Sequence, residues 1–338
     1  MNRNQLLQSD VPLYLTDGGI ETTLMFHDGF ELPEFAVFPL LDTAHGRQRL
    51  SAYYERYIKI ALRCKTGFIL EAPTWRASRK WAKRLGYGDV AMCRVNAEAI
   101  RFMAQLRMRH ATRSSPMLIS GCVGPQDDGY EPDQLMLPQC AESYHLAQVQ
   151  AFQRARVDLV TAITMTYPDE AVGIANAAAS MGLPVVISFT VETDGRLPTG
   201  ISLQEAIAQV DRQAKVPPVY YMINCAHPDH FNLSGGESWL QRIGGIRANA
   251  SRMSHAELDE SETLDDGDPT EFGEQHRALG ELLPNLKVIG GCCGTDHRHI
   301  AAVAKRVAPC HTVSQATRSM RLSDLWQKPL PRPQKSPS

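Results

Sequence analysis

Short apolar runs rich in β-branched residues alternate with longer amphipathic segments along most of the chain. Each run is bounded by Gly, Pro or polar residues, as is typical of buried strands. The eight runs are LYLTD near residue 15, GFILEA near 70, MLISG near 119, DLVTAIT near 160, PVVISFT near 187, VYYMINCA near 222, GIRANA near 247 and LKVIGG near 289.

The segments between the runs carry apolar residues at helical spacing and predict helices. Examples are RLSAYYERYIKIALRCKTG, VNAEAIRFMAQLRMRHA, YHLAQVQAFQRARVD and PDEAVGIANAAASMG, and Ser202 with Glu205 forms a capping-box pattern at the start of another helix. Eight strands that alternate with helices predict a parallel sheet. The count favours an α/β fold closed into a (β/α)8 TIM barrel, with an open doubly wound sheet as the alternative.

The domain organisation predicted from this pattern is simple. The barrel is expected at residues 1–311, and neither an internal repeat nor a second domain is expected. Residues 312–338, which end in LPRPQKSPS, are too rich in Pro, Ser and Lys for a packed element. We therefore expect a C-terminal tail that is extended or disordered.

Charge and hydropathy narrow the range of partners. The 338 residues carry a formal net charge of −2, which does not favour a nucleic-acid or anionic membrane surface. No apolar run approaches the roughly 20 residues that span a bilayer, and the N-terminus lacks the apolar core of a signal peptide. The expectation is a cytoplasmic protein that acts on small molecules, and a homo-oligomer remains open.

In a barrel of this class the active site lies at the carboxyl ends of the strands. Three of the cysteines, Cys225, Cys292 and Cys293, follow predicted strands six and eight and can therefore converge at one mouth. The polar or small residues at the strand ends are Asp17, Glu71, Gly121, Cys122, Thr164, Thr190, Asn224, Cys225, Asn249, Cys292 and Cys293.

Three thiolates at one point are typical of a zinc site with one open position, because zinc prefers tetrahedral coordination and catalytic sites leave one position for substrate. The adjacent Cys292 and Cys293 can both reach a metal only across a sharp turn, for which the flanking Gly290, Gly291 and Gly294 supply freedom. Such a site accepts a further sulfur and favours the thiolate form of a thiol, whose pKa is otherwise about 8.5. We expect an activated thiol nucleophile.

Several motifs resemble the homocysteine S-methyltransferase family. They are GGCCGT near the end of the chain, NCAHP around Cys225, TDGGIETTL at residues 16–24 and PVVISFTVETDGRLPTGISL after strand five. The resemblance implies a (β/α)8 barrel, zinc bound by Cys225, Cys292 and Cys293, and methyl transfer to homocysteine that yields methionine. It also implies that Asp17 and Gly18 lie beside the amino-acid substrate and that Asn249 lies near the metal.

The sequence departs from the family pattern at the end of strand four. Where the family often has Glu-Thr, this chain has Ile163 and Thr164, so a carboxylate that could bind the substrate ammonium is missing. Glu71, Asp17 or Glu21 can supply that charge instead, and Thr164 remains a candidate substrate contact. Two alternatives stay open: alkyl transfer to a different small thiol, and a non-catalytic zinc-binding barrel.

The sequence predicts the chemical class of the methyl donor but not its identity. Without a nucleotide-binding loop or a corrinoid domain, the barrel is expected to take methyl directly from a sulfonium or quaternary ammonium compound. Candidates are S-methylmethionine, S-adenosylmethionine and a betaine. Aromatic faces can hold such a cation, and Trp75, Tyr130 and Tyr167 lie on suitable loops.

Overall fold

Eight parallel strands close into a barrel in their sequence order in the computed structural model, which describes residues 11–308. The (β/α)8 barrel and all eight strands are thus confirmed. The strands are β1 (Tyr14–Leu15), β2 (Gly67–Glu71), β3 (Met117–Val123), β4 (Leu159–Met165), β5 (Val185–Phe189), β6 (Tyr221–Asn224), β7 (Ile243–Ala248) and β8 (Val288–Gly291).

The shortest strand closes the barrel. Tyr14 of β1 pairs with Gly67 of β2 on one side and with Val288 of β8 on the other. A β-bulge shifts the register between β4 and β5 over residues 162–165. Bulges re-aim side chains and are frequent beside active sites.

Helices cover the outside of the barrel. They are α1 (Ile20–Thr22), α2 (Ala44–Cys64), α3 (Arg79–Arg84), α4 (Asp89–His110), α5 (Pro138–Arg154), α6 (Pro168–Ser180), α7 (Leu203–Gln213), α8 (His255–Asp259), α9 (Pro269–Leu282) and α10 (His297–Val307). A π-helix (Thr23–His27) and four 3₁₀ turns (Pro33–Phe35, Phe38–Asp42, Pro228–His230 and Ser238–Arg242) complete the elements. The predicted capping box of Ser202 and Glu205 is present at the start of α7.

Apolar side chains fill the lower part of the barrel and leave its carboxyl end polar. Ile69 belongs to a buried apolar cluster with residues of the other strands, including Leu118 and Val186. Glu71 lies two residues after Ile69 and therefore points to the same side of β2. The inside of the barrel thus changes from aliphatic to charged over two residues of β2. The polar groups available for chemistry therefore lie at the carboxyl-terminal face of the barrel.

The loop side of the barrel and the chain end complete the description. The acidic stretch after β7 contains the short helix α8, which is capped by Ser254 and Glu257. The expected tail at 312–338 lies outside the described residues. None of the helices within residues 11–308 has the length and apolar character needed to cross a bilayer.

Candidate functional site

A cavity of about 430 Å³ lies at the carboxyl ends of the strands. All three cysteines selected from the sequence line it. The other lining residues that matter for its chemistry are Asp17, Gly18, Glu21, Glu71, Trp75, Cys122, Tyr130, Thr164 and Arg247. The candidate substrate contacts Asp17, Gly18, Glu71 and Thr164 are therefore on its wall, whereas Asn249, expected near the substrate and the metal, is not among the lining residues.

The three sulfur atoms are close enough to share one metal ion. The Sγ atoms of Cys225, Cys292 and Cys293 all lie within 4.8 Å of one another, and those of Cys225 and Cys293 are 3.6 Å apart. Tetrahedral zinc with bonds of about 2.3 Å requires sulfur atoms about 3.8 Å apart. The donor set and its spacing fit zinc with three sulfur ligands.

Unusual backbone conformations bring the sulfurs together. Cys225 has φ of 57° and Gly294 has φ of 78°, both in the left-handed region. A non-glycine residue in this region costs on the order of 1–3 kcal/mol and tends to occur at functional sites. Of the three flanking glycines expected to give the turn its freedom, only Gly294 has a left-handed conformation. Gly291 is needed for a different reason, because a Cβ there would lie 1.9 Å from Thr295 Oγ1.

The charges around the sulfurs favour a thiolate. Hydrogen bonds from the Cys225 and Cys293 thiols lower the pKa of Cys292 well below its ordinary value, although burial opposes the shift. The Arg247 guanidinium lowers this pKa further. The pKa values of Cys225 and Cys293 are raised, first by their hydrogen bonds within the cluster, so the negative charge of the three sulfurs lies on Cys292. A sulfur that binds a metal must be deprotonated.

Arg247, on β7, forms a buried ion pair that sequence reasoning missed. Its Nη2 donates to Asp17 Oδ1 at 2.8 Å, and its Nη1 lies 3.5 Å from Glu71 Oε2. Burial raises the pKa of Asp17, which Arg247 opposes, and burial raises the pKa of Glu71 to about 7. A signal was available: Arg247 is a charged residue two positions before Asn249 in an otherwise apolar strand.

Tyr130 was considered only as an aromatic face, but its hydroxyl reaches the sulfur cluster. Its Oη lies 3.0 Å from Cys225 Sγ and 3.9 Å from Cys293 Sγ. The ring stacks on His255 with centroids 3.9 Å apart. His255 is itself held by Glu192 Oε1 at 2.8 Å and by the Cys225 carbonyl oxygen at 2.7 Å. These contacts fix the Tyr130 hydroxyl against the sulfurs.

We expect Tyr130→Phe to weaken zinc binding about 10-fold while the protein stays folded, because loss of an outer partner of a ligand typically costs 10- to 100-fold in metal affinity. Competition with a chromogenic chelator measures this affinity. Tyr167→Phe is the matched control, since the Tyr167 hydroxyl accepts a hydrogen bond from Met136 N and is not among the residues that line the cavity. Equal affinity in Tyr130→Phe and the wild type would contradict this role.

Trp75, the other aromatic candidate at the cavity, already has a cation of the protein on one face of its ring. Trp75 lines the cavity, and its Nε1 donates to the Ile163 carbonyl oxygen at 3.3 Å. The Arg76 guanidinium lies 4.1 Å from the centroid of the Trp75 ring. One side of the indole is therefore already engaged with a cation of the protein.

The polar residues at the ends of β4 and β6 form one buried network. Asn224 Nδ2 donates to Thr164 Oγ1 at 2.9 Å and lies 3.9 Å from Cys292 Sγ. Thr164 has φ of 63°, a strained value for a β-branched residue, and its N–H donates to Asn224 Oδ1. Asn249 is buried with Oδ1 lacking a hydrogen-bond partner among residues 11–308. Its predicted place near the metal stays a prediction.

Known proteins are similar to this chain in sequence or in fold. The rat betaine–homocysteine S-methyltransferase 1 is 25% identical over 177 residues, which cover 48% of this chain and 42% of the rat protein. The Escherichia coli homocysteine methyltransferase MmuM in its oxidized form superimposes with a TM-score of 0.69 at 19% identity, covering 90% of this chain and 100% of that one. Its metallated form gives a TM-score of 0.63 at 18% identity with the same coverage. The structural likeness shows a shared fold.

A family model described as homocysteine S-methyltransferase matches residues 14–307, which include all eight strands and the three cysteines at the cavity. The match covers most of the chain, so it is not confined to the cysteine motifs. The chain belongs to the homocysteine S-methyltransferase family.

Proposed function

We propose that this protein is a zinc-dependent S-methyltransferase that moves a methyl group from a sulfonium or quaternary ammonium donor to the thiol of homocysteine, giving methionine. The observation that carries the proposal is the convergence of the Sγ atoms of Cys225, Cys292 and Cys293 at the wall of one cavity. Family membership supports homocysteine as the acceptor. The metallated E. coli MmuM is consistent with a metal at such a site.

Each part of the site has a chemical task in this reaction. Cys225, Cys292 and Cys293 would hold the zinc, which when bound favours the thiolate form of the acceptor over its thiol. Arg247, with Asp17 and Glu71 beside it, balances negative charge next to Cys292. Tyr130 places a hydroxyl donor beside Cys225. These fixed groups stabilise charge without having to reorganise during the reaction.

The transfer itself is a displacement at the methyl carbon. The acceptor sulfur, after its proton has passed to solvent, forms a bond to this carbon while the bond from carbon to the donor sulfur or nitrogen breaks. The electron pair of the broken bond stays on the donor, which leaves as a neutral sulfide or tertiary amine. A cationic donor is favoured by the carboxylates and aromatic rings of the cavity, including Trp75 and Phe35.

Zinc-edge X-ray absorption with and without homocysteine tests the acceptor. We expect about one zinc per chain with three sulfur neighbours, and a further sulfur neighbour after homocysteine is added. Turnover is then measured with S-methylmethionine, S-adenosylmethionine and glycine betaine in parallel, with methionine as the product detected. A sulfur shell unchanged by homocysteine, together with no methionine from any donor, would refute the proposal.

A further inference from the structure

Glu71, at the end of β2, is a buried carboxylate on the wall of the cavity with one oxygen that lacks a hydrogen bond. The residue is 6% exposed, and its Oε1 has no hydrogen-bond partner within residues 11–308. Its Oε2 lies 3.5 Å from Arg247 Nη1, which also has no hydrogen-bond partner in that part of the chain. Buried polar atoms without partners are unfavourable. A proton on Oε1 would relieve part of this cost.

The groups around Glu71 allow its charge to change near neutral pH. Burial raises its pKa to about 7, while the Arg247 guanidinium and the hydroxyls of Ser120 and Thr161 oppose the rise. A base is most effective when its pKa lies near the working pH, because it can then both accept a proton and release it again. The titratable groups that interact with Glu71 are Asp17 after β1, Cys122 on β3, Tyr220 before β6 and Arg247 on β7.

Arg247 links Glu71 electrostatically to the sulfur cluster. Its charge lowers the pKa of Cys292, and its Nε donates to the Gly291 carbonyl oxygen at 3.1 Å. Glu71 and Asp17 share the same guanidinium. A proton on Glu71 would remove one of the negative charges beside Arg247 and leave the guanidinium to stabilise a new thiolate. Movement of one proton from an acceptor thiol to Glu71 therefore keeps the net charge of the site constant.

The aspartates that line the cavity are less suited to accept a proton. Asp17, Asp128 and Asp265 each accept hydrogen bonds at both carboxylate oxygens, and such bonds stabilise the ionised form. Asp259 is exposed and exchanges protons directly with solvent, so it would not hold one within the site. The donors are Arg247 and Tyr53 for Asp17, Arg76 with the Tyr130 and Glu131 N–H groups for Asp128, and Ser251 with the Gly267 N–H for Asp265.

Glu21 is the other glutamate on the wall of the cavity. It is half-buried, and burial raises its pKa to about 8, which a hydrogen bond from its own backbone N–H opposes. Most of Glu21 is therefore protonated at pH 7, and a protonated carboxyl group cannot accept a further proton. Glu71 combines burial, an oxygen without a partner and a substantial ionised fraction at neutral pH.

We propose that Glu71 takes the proton of the acceptor thiol as the thiol binds. The inference rests on the proposed function, which places the acceptor sulfur at Cys225, Cys292 and Cys293. The S–H bond breaks, its electron pair stays on sulfur, and the proton bonds to Glu71 Oε1, directly or through one water molecule. In this refinement of the proposed reaction the proton rests on Glu71 before it reaches solvent, and each turnover still releases one proton.

Calorimetry of homocysteine binding to the zinc-loaded protein, repeated in buffers of different ionisation enthalpy, counts the released protons without a methyl donor. At pH 7.5 a thiol with a pKa of about 8.5 is about 90% protonated, so a site that binds thiolate and has no proton acceptor releases about 0.9 proton. We expect about 0.2 proton from the wild type, because Glu71 retains the rest, and about 0.9 from Glu71→Gln. Glu21→Gln is the matched comparison and should give the wild-type count.

The wild type alone supplies a second measurement that does not depend on the folding of a variant. At pH 6 Glu71, with its pKa of about 7, is already mostly protonated before homocysteine binds. The count should therefore rise from about 0.2 at pH 7.5 to about 0.9 at pH 6. Without an acceptor in the protein the count would be about 0.9 or more at both pH values.

Methyl transfer by Glu71→Gln should be about 100-fold slower than in the wild type at pH 7 and approach the wild-type rate at pH 9, where the thiol ionises unaided. Equal proton counts in the wild type and Glu71→Gln at pH 7.5, or a wild-type count that does not change between pH 6 and pH 7.5, overturn the inference and leave the proposed function intact. Failure of the zinc-loaded wild type to bind homocysteine overturns both. The expected counts without methionine from any donor support Glu71 as the proton acceptor and refute the proposed reaction.

Discussion

Cys292→Ala is expected to lose both zinc and methyl transfer. Structural zinc in zinc-finger peptides, with four protein ligands, binds with about 10–16 kcal/mol, so removal of one sulfur ligand from a three-sulfur site should weaken zinc binding about 100-fold. Cys292 is the one thiol of the three whose pKa is lowered, by hydrogen bonds from the neighbouring thiols and by Arg247, whereas those of Cys225 and Cys293 are raised. The remaining two cysteines of the cluster cannot supply a third sulfur. Metal content by mass spectrometry should fall from about one zinc per chain to near zero, with turnover lost in parallel.

Cys140→Ala is the control for this change. Cys140 is a free, exposed cysteine in α5 and is not among the residues that line the cavity. This variant should keep its zinc and its activity. A Cys292→Ala protein that retains one zinc per chain would show that the metal is bound elsewhere. A metal-free variant with full turnover would show that the reaction does not need zinc.

The barrel and the cysteine cluster were predictable from sequence because each depends on a regular pattern. Eight apolar runs separated by helical segments restrict the fold to a few parallel arrangements, and strand ends in a closed barrel meet at one face. Cys225 and the pair Cys292 and Cys293 were therefore brought together by topology alone, although 67 positions separate Cys225 from Cys292. No detailed side-chain geometry was needed for that step.

The electrostatic partners were less predictable because they depend on which side chains meet across the barrel. The sequence names Asp17, Glu21 and Glu71 as candidates to supply one negative charge, with Asp17 placed beside the substrate by the resemblance alone. Their difference appears only when Arg247 is seen to contact two of them. Tyr130 is a similar case, since a long loop after β3 carries it to Cys225 and no periodic pattern records how that loop folds.

Arg247→Met is expected to destabilise the fold by about 3–5 kcal/mol, because removal of one partner of a buried ion pair leaves the other charges uncompensated. The variant keeps an unbranched side chain of similar length but leaves Asp17 and Glu71 without the guanidinium. Urea unfolding followed by circular dichroism measures the change in the free energy of unfolding. Arg277→Met, on the exposed face of α9, breaks ion pairs with Glu274 and Glu281 and should change it by no more than about 1 kcal/mol.

The loss of unfolding free energy in Arg247→Met should depend on pH. The direction of this dependence follows from the raised pKa of Glu71. Burial raises the pKa of Glu71 from 4.5 to about 7. Protonated Glu71 therefore contributes its full share to the free energy of unfolding below about pH 4.5, and this contribution is lost as the pH rises through 7. Without Arg247, whose charge lowers the pKa values of Asp17 and Glu71, both pKa values rise further. The defect relative to wild type should therefore be smaller near pH 5 and larger near pH 8. A defect that is the same at both pH values would mean that Arg247 stabilises the barrel by packing and not by its charge.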